Sequence, residues 1–409
     1  MNAGEKVIIL GCTHAGLAAA RSFGRRGIRQ MVLTYKDDEF GLASRYVGEW
    51  HLCPHPRDEE AFVDHLLSYA GEWRGALVLE TNDYFLEALS NNKARLSEAY
   101  RLVTPDWDKA RTFLEKDRAY RLADECGVPH PKVIEPRTTQ ELEAHIESLT
   151  FPVMIKPVCS HQFVPIFSTK LFIVHTVQEL RALFQRTVDA KQAVIISEII
   201  PGTDYGTLER VHVYIDSKGE LAAALSNIKL RQTPPMYGVM RVGKTVPPNR
   251  EVTDSALRLL RAVDYRGFAS VEFKRDRRDG RLKLMEVNIR MPRSCPLPIK
   301  AGVDFPYLIL RDLVDDEQIR IERYHENTYL IELPADVVDF VRFDKDRNLF
   351  RFLQPYFAAR KTFSIFEVSD PMPFIETISR RGSRWIRKLS RRIDAPPKPF
   401  RRIGTKDAI

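Results

Sequence analysis

The stretch from Ser270 to Arg290 constrains this chain more than any other, because two alternating runs flank the pair Asp279-Gly280. Such a pattern is the signature of a β-hairpin. Pairing symmetric about that turn sets Glu272 opposite Glu286, with Asn288 two residues further on the same face and Arg290 beyond it. Facing carboxylates repel, so the arrangement needs a cation, a raised pKa or a strand slip to relieve it. Oxygen donors of this kind suit Mg²⁺, which takes one or two carboxylates and leaves its other positions to substrate phosphates. Arg290 would then hold an anion beside the metal. A solvated surface hairpin could carry the same pair, so the rest of the chain has to decide.

A length of 409 residues exceeds one ordinary core and implies two or three packed units. The 44% apolar content fits a folded globular protein. No apolar run reaches the length of a membrane span, and Val7-Ile-Ile-Leu10 is too short for a signal peptide, so a cytoplasmic protein is expected. Five scattered cysteines lack metal-ligand spacing and are expected to be reduced. The net charge of +8 is not spread evenly: residues 380–409 hold eleven Lys and Arg against two Asp, which leaves the body near neutral.

Lys6–Leu10 reads as a strand, Gly11 to Gly16 as a tight turn, and the Ala-rich run to about Arg26 as a helix. This opening unit of a doubly wound α/β domain presents a potential anion site at the helix start. Further strands are expected at Gln30–Tyr35 and Ala76–Glu80, with Asn82 or Asp83 capping the next helix and His14 a turn residue. Arg111 to Cys126 reads as one charged helix stopped by Gly127 and Pro129. Phe151–Pro157 is an apolar strand delivering Lys156 at its end, and Gln192–Ile200 is another, closed by Pro201-Gly202. Val211–Ile215 and Leu221–Asn227 form a hairpin, and Val252–Val263 a helix leading into the acidic hairpin. The sum is α/β at the front and α+β behind.

The set Glu272, Glu286, Asn288 and Arg290 resembles the metal-binding signature of the ATP-grasp superfamily, whose Glu and Glu-X-Asn-X-Arg runs bind magnesium and nucleotide phosphates. The resemblance implies an ATP-grasp fold behind an N-terminal Rossmann-like (pre-ATP-grasp) domain. Its expected boundaries are 1–110 for the Rossmann-like domain, 111–196 and 197–320 for the two ATP-grasp subdomains, 321–379 for a C-terminal extension and 380–409 for a basic tail. Glu115-Lys116-Asp117 looks like the superfamily's Asp-Lys helix, which brings Lys116 to the phosphates, and Lys156 is similar to its second phosphate lysine. Ser197 to Gly202 resembles the hinge in which Glu198 meets the adenine edge and Ile199 and Ile200 flank its faces; Asp204 stands where the family sets an acid on the ribose. Ile228 to Gly238 looks like a run of the branch containing D-aspartate ligases, with Lys229 and Arg231 facing acyl phosphate and acceptor. One departure stands out: Cys159 to Thr169 should be a loop over the phosphates, yet it has no glycine.

The resemblance further implies a carboxylate-amine ligase that uses ATP and Mg²⁺, with Mn²⁺ as a substitute, and forms an amide through an acyl phosphate. Lys116, Lys156 and Arg290 would stabilise the transferring phosphoryl group. The alternatives are an ATP-grasp phosphotransferase and a non-catalytic nucleotide-binding scaffold. Expected partners are small carboxylate and amine substrates, and no nucleic acid. Asp370-Pro-Met-Pro373 reads as the end of the folded body. After it, Ile378, Trp385, Ile386, Leu389 and Ile393 recur at near-helical spacing among arginines, a pattern suited to peripheral contact with an anionic membrane.

Overall fold

The computed structural model describes residues 5–202, 206–233, 238–343 and 348–380. Asp204 and the basic tail beyond Arg380, with the membrane contact expected of it, lie outside the described residues. Three sheets organise the chain. The first is parallel, in the order β3-β2-β1-β4-β5, from β1 (Lys6–Leu10), β2 (Arg29–Thr34), β3 (Trp50–Leu52), β4 (Leu77–Glu80) and β5 (Arg101–Leu102). Its centre is buried on both faces, which is why Val7 to Leu10 is an unbroken apolar run.

The second sheet is β6-β9-β7-β8, from β6 (Val133–Ile134), β7 (Val153–Pro157), β8 (Phe172–Val174) and β9 (Val194–Glu198). The third and largest runs β14-β13-β10-β11-β12-β15-β16. It contains β10 (Leu208–Ile215), β11 (Leu221–Thr233), β12 (Val239–Thr245), β13 (Gly267–Arg275), β14 (Leu282–Asn288), β15 (Tyr329–Ile331) and β16 (Lys361–Phe363). One face of β10, β13 and β14 buries Val211, Val213, Val271 and Phe273 under the helix Arg250–Ala262, which Asn249 caps. The other face carries Arg210, Ser270, Glu272 and Lys274. This α/β plus α+β architecture is the ATP-grasp fold behind a Rossmann-like N-terminal sheet.

Four local expectations are corrected. The charged helix breaks in two, Trp107–Leu114 and Lys116–Glu125, because Glu115 is extended and its carboxylate accepts from Arg111 Nε at 2.7 Å and Arg118 Nε at 2.6 Å. The glycine-free loop contains a helix, Ser160–Phe167, since Phe163 and Phe167 bury against Phe172. The anion site at the first βα turn is taken by the chain's own Glu39, whose carboxylate accepts from the Cys12 amide. Asp370 does not end the folded body: it is buried, accepts from Arg21 Nε at 2.9 Å and Ser44 Oγ at 2.7 Å, and is followed by helix through residues 372–380. The segment 321–379 also supplies β15 and β16 to the large sheet. Among the described residues no helix is long and apolar enough to cross a membrane.

Candidate active site

The polar face of the large sheet and the second sheet enclose a cavity of about 950 Å³. An adjoining pocket of about 170 Å³ shares Lys116, Lys170, Met285, Glu286, Asn288 and Arg290 with it. The second pocket reaches Asp83 of the N-terminal domain.

Pairing in the acidic hairpin is Ser270 to Asn288, Val271 to Val287 and Glu272 to Glu286, after which a bulge slips the register so that Phe273 meets Leu284. The extra residue is Met285. It turns Leu282 and Leu284 into the core while leaving Glu286 and Asn288 on the cavity, although all four share one parity in sequence.

Two cations relieve the carboxylate repulsion. Glu272 Oε1 accepts from Lys229 Nζ at 2.8 Å, and its Oε2 accepts from Arg210. Burial alone would raise the Glu272 pKa; Lys229 and Arg210 instead hold it down to about 2. Glu272 is thus paired here with the protein's own cations. Among the described residues no cation lies within ion-pair distance of Glu286, and no group of three or more His, Cys, Asp and Glu gathers to form a metal cage. Glu286 and Asn288 offer oxygens to the cavity, the sparse donor set Mg²⁺ accepts when phosphates complete it. Glu272 could join them by releasing one of its cations.

Lys116 opens the helix Lys116–Glu125, and its amide donates to Val158 O at 3.4 Å, which ties that helix to the end of β7. Lys156, two residues before Val158, is buried on the cavity wall; burial lowers its pKa to about 8, against the pull of Glu286. Both lysines therefore border the same space as Glu286, Asn288 and Arg290.

Other expected residues are placed differently. Glu198 does not face the cavity: it accepts from the Lys132 amide and Arg278, each at 2.8 Å, with Lys283 at 3.4 Å. Burial pushes its pKa up, but these donors hold it below the ordinary range. Ile199 is also off the cavity lining, whereas Ile200 is on it, and its carbonyl accepts from Lys274 Nζ at 2.7 Å. Arg231 is bidentate to Asp336, at 2.8 and 2.7 Å, and lies over Phe352. Bulges on either side of Arg231 turn it to the opposite face, so that Lys229 and Gln232 line the cavity in its stead.

Asn82, not Asp83, caps the helix Asp83–Asn91, accepting from the Tyr84 and Phe85 amides at 3.1 and 3.2 Å. Asp83 binds Arg290. His14, read as a turn residue, is buried within 3.6 Å of Glu332 and 3.1 Å of Arg293. Sequence reasoning missed Arg210, Lys274, Arg293, Glu332 and Ser364. Alternation along β13 could have supplied Lys274, two residues from Glu272; Arg293 follows Arg290 by three residues but lies outside any strand, and Arg210, Glu332 and Ser364 come from elements distant in sequence.

Comparison with known proteins agrees with this geometry. The family described as Carbamoyl-phosphate synthase L chain, ATP binding domain, matches residues 247–311, which include the acidic hairpin. The chain is 24% identical to the D-aspartate ligase of Enterococcus faecium over 323 residues, covering 75% of this chain and 76% of that one. It is similar in structure to N5-carboxyaminoimidazole ribonucleotide synthetase from Thermus thermophilus, with a TM-score of 0.60 and 19% identity over 79% of this chain and 81% of the other. It is also similar to the L-amino acid ligase of Bacillus licheniformis, with a TM-score of 0.58 and 16% identity over 76% and 74%. At these identities the structural likeness shows a shared fold, and the matched sequence lies where the acidic hairpin stands.

Proposed function

We propose that this protein is an ATP-dependent carboxylate-amine ligase, which activates an acid as its acyl phosphate and passes the acyl group to an amine with release of ADP and phosphate. The observation that carries the reading is the convergence of Lys116, Lys156, Glu286, Asn288 and Arg290 on one cavity that continues well beyond them. Met154, Ile200 and Leu208 supply apolar walls for a purine, and Lys116 and Lys156 supply charge for the phosphates. Glu286 and Asn288 would hold Mg²⁺, which when bound neutralises charge on the phosphate oxygens. Arg290 and the two lysines stabilise the phosphoryl group as it moves to the substrate carboxylate. The amine then displaces phosphate from the acyl carbon. No side-chain nucleophile is needed, so catalysis here is positioning and charge.

The D-aspartate ligase relationship makes amino acids sensible first substrates to test. Purified protein with ATP, Mg²⁺ and panels of acids and amines is expected to release ADP and phosphate only when an acid is present. Hydroxylamine should trap the activated acid as a hydroxamate. ADP without phosphate would instead identify a phosphotransferase, and no turnover with any panel would overturn both.

A further inference from the structure

The cavity is lined not only by the proposed phosphate residues but also by residues that follow β14 and β15. A flat sheet would hold β14 and β15, five strand spacings apart, about 24 Å from one another. Yet Arg293, just after β14, donates to Glu332, just after β15, at 2.7 Å. The chain therefore folds back over the sheet, where the helix Pro296–Ala301 packs on β12, β15 and β16. This crossing borders the cavity, whose lining includes Arg293, Glu332 and Ser364.

Glu332 is not available to bind a substrate cation. Its Oε1 takes Arg293, its Oε2 accepts from Arg241 Nη1 at 2.9 Å, and Arg241 is itself held by Asp339 at 2.6 Å. Burial would raise the Glu332 pKa, but the His14 hydrogen bond and the arginines hold it down to about 2, so it stays an anchor. Arg293 uses only Nη2 in these contacts, and its half-exposed side chain borders the cavity with Nε and Nη1 unengaged among the described residues. Ser364, whose amide donates to the carbonyl of Ile331 at 3.0 Å next to Glu332, is 2% exposed, lines the same cavity, and its hydroxyl has no partner among the described residues. An anchored guanidinium and a buried, unpartnered hydroxyl on one cavity wall suit an anionic oxygen group.

Resting on the ligase reading, we infer that Arg293 and Ser364 form a subsite for a carboxylate that a substrate keeps through the reaction, with Glu332 as the residue that positions Arg293. The C-terminal segment thereby sets specificity. That carboxylate belongs either to a diacid or to a carboxylate-bearing amine, and the experiment separates the two.

Calorimetry on the full chain, with a non-hydrolysable ATP analogue and Mg²⁺ present, would compare succinate with propionate and glycine with methylamine. The wild type is expected to favour the carboxylate-bearing member of one pair on the order of tenfold or more, the scale of a lost charge-assisted hydrogen bond. A preference for succinate assigns the group to the acid, and a preference for glycine assigns it to the amine. Arg293→Ala should abolish the preference, Arg293→Lys should restore part of it, and Ser364→Ala should weaken it, with melting temperatures confirming that each variant folds. Glu332→Gln should reduce the preference while leaving Ser364 in place. Equal binding within both pairs by the wild type, or an undiminished preference in Arg293→Ala and Ser364→Ala, overturns the subsite. Because binding is read without turnover, failure here is distinct from failure to release ADP and phosphate.

Discussion

The Arg290 guanidinium is held by the carboxylate of Asp83, 207 positions earlier in the chain. Asp83 opens a helix of the N-terminal domain, so that domain aims an arginine of the proposed phosphate site. A guanidinium gains specificity from its fixed fork, and a carboxylate partner sets the direction of that fork.

Replacing Asp83 with Asn should therefore lower kcat more than it raises KM for ATP. A drop between tenfold and 10²-fold is expected for a loosened catalytic group. Steady-state kinetics with the identified acid would read the split; an equal change in both parameters would point to lost nucleotide binding instead.

If Lys156 binds phosphate as proposed, nucleotide binding should be sensitive to alkaline pH. Burial disfavours its ammonium and lowers the pKa to about 8, so in the free enzyme the charge is lost as pH rises through that value. KM for ATP should rise above pH 8, and Lys156→Arg should remove the transition because a guanidinium remains charged. The sign for stability is opposite. The unfolded chain keeps this proton up to about 10.5, so folding becomes more favourable between pH 8 and 10.5 as the cost of burying the charge disappears.

The two hairpin glutamates should fail in different ways. Glu286→Gln is expected to abolish acid-dependent ADP formation with little change in melting temperature, since no protein cation depends on it for an ion pair among the described residues. Glu272→Gln leaves Lys229 and Arg210 buried without their counter-charge and should cost about 3–5 kcal/mol of stability, read by urea denaturation.

Arg231→Ala should behave as a stability variant. The loss of its bidentate contact with buried Asp336, and of its stacking on Phe352, should cost about 3 kcal/mol in denaturation experiments. Turnover per folded molecule should stay near that of the parent chain. A large fall in kcat with unchanged stability would return Arg231 to the reacting centre.

What could be read in advance was local and repetitive. The period-two pattern around Asp279-Gly280 was enough to pair Glu272 with Glu286, and an apolar run ending in Lys156 was enough to mark β7. A cap at Asn82 or Asp83, which the structure resolves to Asn82, and Lys6–Leu10 as a strand follow from equally short-range rules. Local rules fail where an inserted residue shifts the register. Bulges beside Arg231 and at Met285 flip side chains between faces, and alternation counted along the sequence cannot register an inserted residue without its partner strand.

The sequence by itself determined the strands that carry Lys156, Glu272 and Glu286 and brought Lys116, Lys156, Glu286, Asn288 and Arg290 into view as residues of one site, because backbone periodicity, turn chemistry and apolar runs act over a few neighbouring residues. Only the tertiary structure decided which charges neutralise one another: Glu272 with Lys229 and Arg210, Arg290 with Asp83, Arg293 with Glu332. Ion pairing depends on distance and burial in space, and these partners are brought together by packing between elements tens to hundreds of residues apart.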